Sequence, residues 1–354
     1  MSIENTDEQN INFIPNTLQN TWRNIVFGIV CGASISGAGL YWFAFHSYNS
    51  VTPDTTIPQV ARFETVVPQP ESVVEYTAYT IGGDISFDPP VQSAPRKVEM
   101  FVPFDLRTVS ASGLLVKDVE TGEVLFGENQ YETHPIASIT KLMSALVLEE
   151  VVTDWKKIGV IPLDQVSDSH VMAGETATLE KWFNVALIGS SNRAILALVD
   201  ASGKSRAEFV ARMNEKAIEL GLINTSFTDP TGLDAGNIST PSEIALLLKE
   251  ALTHERIITA LQSPSVMYHS EETLKDRNIS NTNWLLLRWI PHAFESVVGK
   301  TGYITESGYN FTGLFEHTNG NQVMVVILGS ASNESRFTEA AELAKWAFSN
   351  YYWK

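Results

Sequence analysis

The sequence predicts a mixed α/β (α+β) fold, with one mainly antiparallel sheet sandwiched by helices, an additional all-helical part, and an N-terminal transmembrane helix. Three observations predict it. The folded region opens with a strand pair, runs through a block of helical patterns, and returns to strands before a closing helix. That order suits a single antiparallel sheet packed by helices, because a doubly wound parallel sheet would alternate strands and helices throughout. Ahead of this region lies a long uncharged run, and a proline-punctuated stretch joins the two.

Each element has its own signal. Residues 112–120 and 123–127 flank Thr121-Gly122 and read as a hairpin. Apolar residues recur at helical spacing over 138–152, and further helices are expected at 178–188, 190–201 and 205–220. Another helix starts at Thr240, where Thr-Pro-Ser-Glu offers a capping box with Pro at the first helical position. Strands follow at 296–303, 309–317 and 322–329, with Asn319-Gly320 as a turn, and a last helix covers about 334–351.

The N-terminal part divides into three. Residues 1–24 are polar and acid-rich, and are expected to form a disordered cytoplasmic tail. Residues 25–45 carry no charge, and a helix of that length spans about 32 Å, close to a hydrocarbon core of about 30 Å. Tyr41 and Trp42 fall where an interfacial aromatic belt would lie. A cleaved signal peptide would want a basic leader, yet Arg23 is the only basic residue before the run. An uncleaved anchor is therefore expected, with the folded domain outside the cytoplasm. Residues 46–100 carry prolines at 53, 58, 68, 70, 89, 90 and 95 and read as a stalk, with a short strand near 73–80. The remaining 101–354 form the folded domain.

Composition excludes several function classes. The net charge of −17 opposes a nucleic-acid partner, since phosphate binding needs clustered Lys and Arg. The one cysteine, Cys31, rules out a disulfide within the chain and a cysteine zinc site, and the 7 histidines show no His-Glu-x-x-His pattern. No metal and no cofactor are expected.

Three short motifs carry chemistry. Ser138-Ile139-Thr140-Lys141 opens an apolar helix, and its i, i+3 spacing puts hydroxyl and amine on one face. A serine hydroxyl attacks only once a base takes its proton, and a lysine serves as that base when burial or a nearby cation lowers its pKa. Ser190-Ser191-Asn192 lies between two helical runs and could equally be a simple helix cap. Lys300-Thr301-Gly302, followed by Tyr303, sits in a strand-like run. The first two motifs are common singly, whereas the ordered set of three is not.

The set resembles the motifs of penicillin-binding proteins and serine β-lactamases. Pro135-Ile136-Ala137-Ser138-Ile139-Thr140-Lys141-Leu142-Met143 is similar to the nucleophile segment of the D-alanyl-D-alanine carboxypeptidases, peptidase family S11. Gly174-Glu175-Thr176, Met213-Asn214, Asp229-Pro230-Thr231-Gly232-Leu233 and Asn281-Thr282-Asn283 extend the likeness over roughly 105–350. The resemblance implies a β-lactamase/DD-peptidase-like fold and a set of roles. Ser138 would form an acyl-enzyme with the penultimate D-Ala of a peptidoglycan stem peptide, with Lys141 as base and Ser190 as proton relay. Asn192 would bind the substrate backbone, Lys300 would supply positive potential, and Thr301 would hold the terminal carboxylate. The backbone N–H groups of Ser138 and Tyr303, beside Gly302, would form the oxyanion hole. Arg336 resembles an arginine near that carboxylate, and β-lactams would be covalent inhibitors. Ser191 departs from the usual glycine, and its small size implies little effect. The β-rich C-terminal domain of many members is not seen after the catalytic part, so the N-terminal segment would replace its anchor.

Three alternatives use the same motifs. A class A β-lactamase needs Glu-x-x-Leu-Asn between the second and third motifs, and that sequence does not occur between Asn192 and Lys300. A DD-endopeptidase cutting crosslinks, and a penicillin-acylated sensor with poor turnover, both remain.

Overall fold

A computed structural model describes residues 93–164 and 166–354 of the chain. The anchor, tail and stalk expected before residue 93, with the strand near 73–80, lie outside the described residues. Among the described residues no helix is long and apolar enough to cross a membrane.

The central sheet has five antiparallel strands. In chain order they are β1 (Gly113–Asp118), β2 (Val124–Glu128), β3 (Ser296–Ile304), β4 (Gly308–Glu316) and β5 (Gln322–Ser330). Their order across the sheet is β3-β4-β5-β1-β2, so β3 is an edge strand. The middle strand β5 reads Val-Met-Val-Val-Ile-Leu, nearly continuous in apolar residues because both of its faces are covered. Val323, Val325 and Ile327 enter a core with Phe337, Leu343 and Ala347 of the closing helix, Ser335–Asn350. Met324, Val326 and Leu328 point the other way, into the core built by the helical block. The period of 2 thus divides one strand between two cores.

The helical block contains α1 (Lys141–Val151), α2 (Leu179–Ile188), α3 (Asn192–Ala201), α4 (Arg206–Glu219), α5 (Pro241–Ala251) and α6 (Glu255–Gln262). α1 is buried along most of its length, from Lys141 through Leu148. It is the central post around which the other helices pack, which explains why its sequence is apolar on every side.

Several expectations need correction. The helix expected from Ser138 begins as a tight 3-10 turn, Ala137–Thr140, and becomes α-helical only at Lys141. The cause is Ala137, held at φ 49°, which bends the entering chain sharply. At Thr240 only half of the capping box forms. Thr240 Oγ1 accepts from Glu243 N at 3.2 Å, but the Glu243 carboxylate instead takes Asn224 N at 2.9 Å and Thr225 Oγ1 at 2.5 Å. A complete, reciprocal box forms at Ser205 and Glu208. Helix α6 and the hairpin Ser265–Ser270 with Lys275–Ser280 were not expected: α6 is short but buries Ile257, Ala260 and Leu261 at helical spacing, Ser265–Ser270 alternates buried and exposed residues, and Lys275–Ser280 is mostly polar. The chain start is tied to its end, since Arg96–Lys97 pair with Tyr351–Tyr352 and Val98 N donates to Asn350 O at 3.0 Å.

Candidate active site

Two glycines frame the Ser138 turn. Gly232, at φ 86°, passes so close beneath it that a Cβ there would lie 2.0 Å from Ala137 O. Gly302, on the edge strand β3, passes on another side, where a Cβ would lie 2.5 Å from Ile136 O and 3.2 Å from Ser138 N. Only residues without a side chain allow both approaches. The first motif is thereby pressed against the third, and the half-buried Ser138 presents its hydroxyl between them.

Lys141 follows one helical turn later and is fully buried. Its Nζ lies 2.8 Å from Ser138 Oγ, 2.7 Å from Asn192 Oδ1 and 2.7 Å from Thr231 O. An ammonium has three hydrogens to give and satisfies all three. A neutral amine has two hydrogens and one lone pair. The amide and carbonyl oxygens accept only, so the lone pair must face Ser138, the one partner with a proton to offer. With a neutral Lys141, the arrangement leaves the Ser138 hydroxyl as the one proton donor among these three partners. Burial holds the Lys141 pKa down to about 7, against the opposing pull of the Asp229 and Asp168 carboxylates.

Thr231 O is aimed by a loop wound around Asp229. Asp229 Oδ1 accepts from Thr231 N at 2.6 Å, Thr231 Oγ1 at 2.5 Å and Gly232 N at 2.9 Å, while Oδ2 accepts from Asn237 Nδ2 at 2.8 Å. The second motif occupies the turn between α2 and α3. Ser190 sits there at φ 62°, a left-handed conformation that a non-glycine residue adopts at a cost. In that conformation Ser190 Oγ accepts from Lys300 Nζ at 2.8 Å, and the next residue but one, Asn192, faces Lys141. The helix-cap reading also holds, but for Ser191: its Oγ accepts from Ala194 N at 3.0 Å.

Lys300 is as buried as Lys141 and donates as well to its own strand at Thr301 O, 3.1 Å away. Burial presses its pKa well below the ordinary lysine range, and the Lys141 and Arg336 charges press it further. That direction runs against the permanent ammonium expected of Lys300, for which no carboxylate partner stands among the described residues. Thr301 Oγ1 pairs with Thr282 Oγ1 at 2.7 Å. Tyr303, at the exposed end of the motif, stacks on Tyr309 with ring centroids 4.3 Å apart. Arg336 lies beneath the strand and donates to Gly302 O at 3.0 Å and Asn310 O at 3.3 Å, which binds β3 to its neighbour. Among the described residues β3 pairs with a strand on one side only.

All eight residues expected from the sequence converge on this spot. Sequence reading missed Thr231, Thr282 and Asp168. Two of these act through the backbone or through a residue taken to be passive, and a motif does not record such contacts. Ser191, expected to matter little, donates its hydroxyl to Asp168 Oδ2 at 2.6 Å. A cleft of about 790 Å³, lined by Val166, Leu196, Val210, Asp229, Thr231 and Leu233, opens beside the Lys141 end. A second cleft of about 430 Å³, between residues 290–294 and the closing helix, contains none of the motif residues. Among the described residues no cluster of His, Cys, Asp and Glu could hold a metal ion.

Fold and site together set a half-buried serine hydroxyl against a buried lysine amine, the arrangement characteristic of active-serine peptidases. Residues 100–332 match the D-alanyl-D-alanine carboxypeptidase family, peptidase S11, and the chain belongs to that family. It is 32% identical over 253 residues to D-alanyl-D-alanine carboxypeptidase DacF of Bacillus subtilis, a match covering 68% of this chain and 63% of that protein. It is 34% identical over 242 residues to a D-alanyl-D-alanine endopeptidase of Haemophilus influenzae, covering 65% of this chain and 80% of that one. Among solved structures, a D-alanyl-D-alanine carboxypeptidase of Mycobacterium tuberculosis matches with TM-score 0.63 at 26% identity, over 72% of this chain and 96% of that chain. Penicillin-binding protein D2 of Listeria monocytogenes, in its cefotaxime-bound form, matches with TM-score 0.60 at 28% identity, over 70% of this chain and 100% of that chain.

Proposed function

We propose that this chain is a serine D-alanyl-D-alanine carboxypeptidase that removes the terminal D-Ala from peptidoglycan stem peptides. The observation that carries the reading is the bonding of Lys141, which leaves its lone pair only the Ser138 proton to accept. In the first step Ser138 Oγ attacks the carbonyl of the penultimate D-Ala as its proton passes to Lys141. The tetrahedral oxyanion is held by the backbone N–H groups of Ser138 and Tyr303. The C–N bond then breaks, and the departing D-Ala nitrogen takes a proton through Ser190. That proton is the one Lys141 took from Ser138, so Lys141 is neutral again. Water then attacks the ester, Lys141 takes its proton and hands it to Ser138 Oγ as the ester C–O bond breaks, and the shortened peptide is freed. Lys300 and Thr301 bind the terminal carboxylate, Asn192 binds the substrate backbone, and the open edge of β3, with Gly302 as its tightest point, receives the peptide. β-Lactams enter the same cycle as covalent inhibitors that acylate Ser138. Residues 25–45 anchor the protein in the cell membrane, and the catalytic domain works outside the cytoplasm.

A DD-endopeptidase cutting crosslinks is the second reading, favoured by the identity to the Haemophilus influenzae relative. Incubation with defined muropeptides separates the two by product mass. Release of free D-Ala from pentapeptides supports the carboxypeptidase, and splitting of crosslinked dimers without D-Ala release supports the endopeptidase.

A further inference from the structure

The loop segment 166–175 and the second motif are joined by a contact that a glycine at position 191 could not make. Ser191 is buried, and its hydroxyl works in both directions. It accepts from Ala194 N at 3.0 Å as the cap of α3 and gives its proton to Asp168 Oδ2 at 2.6 Å. The same Asp168 oxygen accepts from Arg193 N at 2.9 Å, and Asp168 Oδ1 accepts from His170 N at 2.8 Å. The residue before it, Ser167, offers its carbonyl to Asn192 Nδ2 at 2.7 Å. That acceptor fixes the amide, because with its nitrogen held by Ser167 O the Asn192 oxygen must face Lys141. A continuous path therefore runs from Asp168 through the 167–168 backbone and Asn192 to Lys141 and Ser138. The far end of the loop is fixed by the buried Glu175, which accepts from Met172 N at 2.8 Å and from Tyr268 Oη at 2.9 Å.

We propose that Asp168 is a positioning residue for acylation: by gripping Ser191 Oγ and Arg193 N–H it fastens the loop against the second motif and so orients Asn192 toward Lys141. The proposal rests on Ser138 and Lys141 being nucleophile and base. It also assigns an electrostatic effect. The charged groups facing Lys141 are Asp229 from the loop after α4, Asp168 from the 166–175 segment, and Lys300 from β3. Asp168 opposes the burial that lowers the Lys141 pKa, so removing its charge moves that pKa further down. Acylation requires neutral Lys141, so its rate rises with pH through that pKa, and the rising limb should move to lower pH without Asp168.

The test uses the full chain and benzylpenicillin, with the second-order acylation rate read across pH for Asp168→Asn, Asp168→Ala, Ser191→Gly and the Asp168→Ala/Ser191→Gly pair. Asp168→Ala is expected to lose about 10- to 100-fold of the plateau rate, the scale of a misplaced catalytic group. Asp168→Asn keeps an acceptor for Ser191, so it should retain most of the plateau while its limb shifts to lower pH. Ser191→Gly should lower the plateau without moving the limb, and the pair should lose no more than Asp168→Ala alone, since both break one link. An unshifted limb in either Asp168 variant, or losses in the pair that multiply, would overturn the proposal, as would a wild-type rate in Asp168→Ala. Should the wild-type chain itself fail to acylate, the functional reading fails and not this link alone. A melting temperature for each variant separates lost positioning from lost folding: a rate loss in proportion to unfolded protein, with an unmoved limb, counts against the proposal.

Discussion

Lys141 Nζ stands 2.8 Å from Ser138 Oγ, and its two other neighbours, Asn192 Oδ1 and Thr231 O, can only accept hydrogen bonds. Lys141→Arg should abolish acylation, because a guanidinium keeps its proton near neutral pH and is too large for the buried slot. A loss of about 100- to 10,000-fold is the range for a general base. In the wild-type chain the acylation rate should climb with pH through about 7 and level above it, as Lys141 gives up its proton. Stopped-flow acylation by a chromogenic β-lactam reads both. A profile flat from pH 5 to 9 would remove Lys141 as the base.

Lys300 is buried near the charges of Lys141 and Arg336, and among the described residues no carboxylate pairs with it. Binding of a carboxylate ligand returns the missing counter-charge and raises the Lys300 pKa, so binding should take up a proton. The sign follows directly: affinity falls as pH rises above the Lys300 pKa of the free site. Calorimetry of a D-Ala-D-Ala peptide with Ser138→Ala, in buffers of different ionisation enthalpy, counts that proton. Proton release on binding would contradict the electrostatics described. Lys300→Arg keeps a charge at a slightly altered distance and should retain more acylation than Lys141→Arg.

Gly232 combines φ 86° with a Cβ position 2.0 Å from Ala137 O. Gly232→Ala must therefore strain the backbone and displace the Ser138 turn, at a cost of about 3 kcal/mol or more. Thermal melting should show the loss together with weakened acylation. Gly320→Ala serves as the control: it also has a positive φ, of 87°, but its Cβ would meet no atom within 4 Å, so its cost should be smaller and acylation unchanged.

Much of the site was legible because its chemistry is local in sequence. Ser138 and Lys141 share one helical turn, Ser190 and Asn192 one loop, and Lys300 to Tyr303 one strand, so spacing alone proposes each group. The contacts that join the groups are not local. Thr231 O reaches Lys141 from 90 positions away, and a backbone carbonyl leaves no mark in a sequence. Ser191 was read by its size alone, and the bond from its hydroxyl to Asp168, 23 positions away, is likewise not local. In the fold, most strands and helices with clean periods were found within two or three residues, whereas the short helix α6 was missed despite its period. The strand Lys275–Ser280 was missed too, because its residues are mostly polar and only Ile279 among them is deeply buried.

The central claim is that Ser138 is the nucleophile, and mapping the covalent adduct tests it most directly. The full chain is treated with benzylpenicillin, digested, and analysed by mass spectrometry beside Ser138→Ala. The account predicts one penicilloyl group, carried by the peptide containing Ser138 and absent from the variant. An adduct on Ser190 or Ser191, or one that survives in Ser138→Ala, would contradict it.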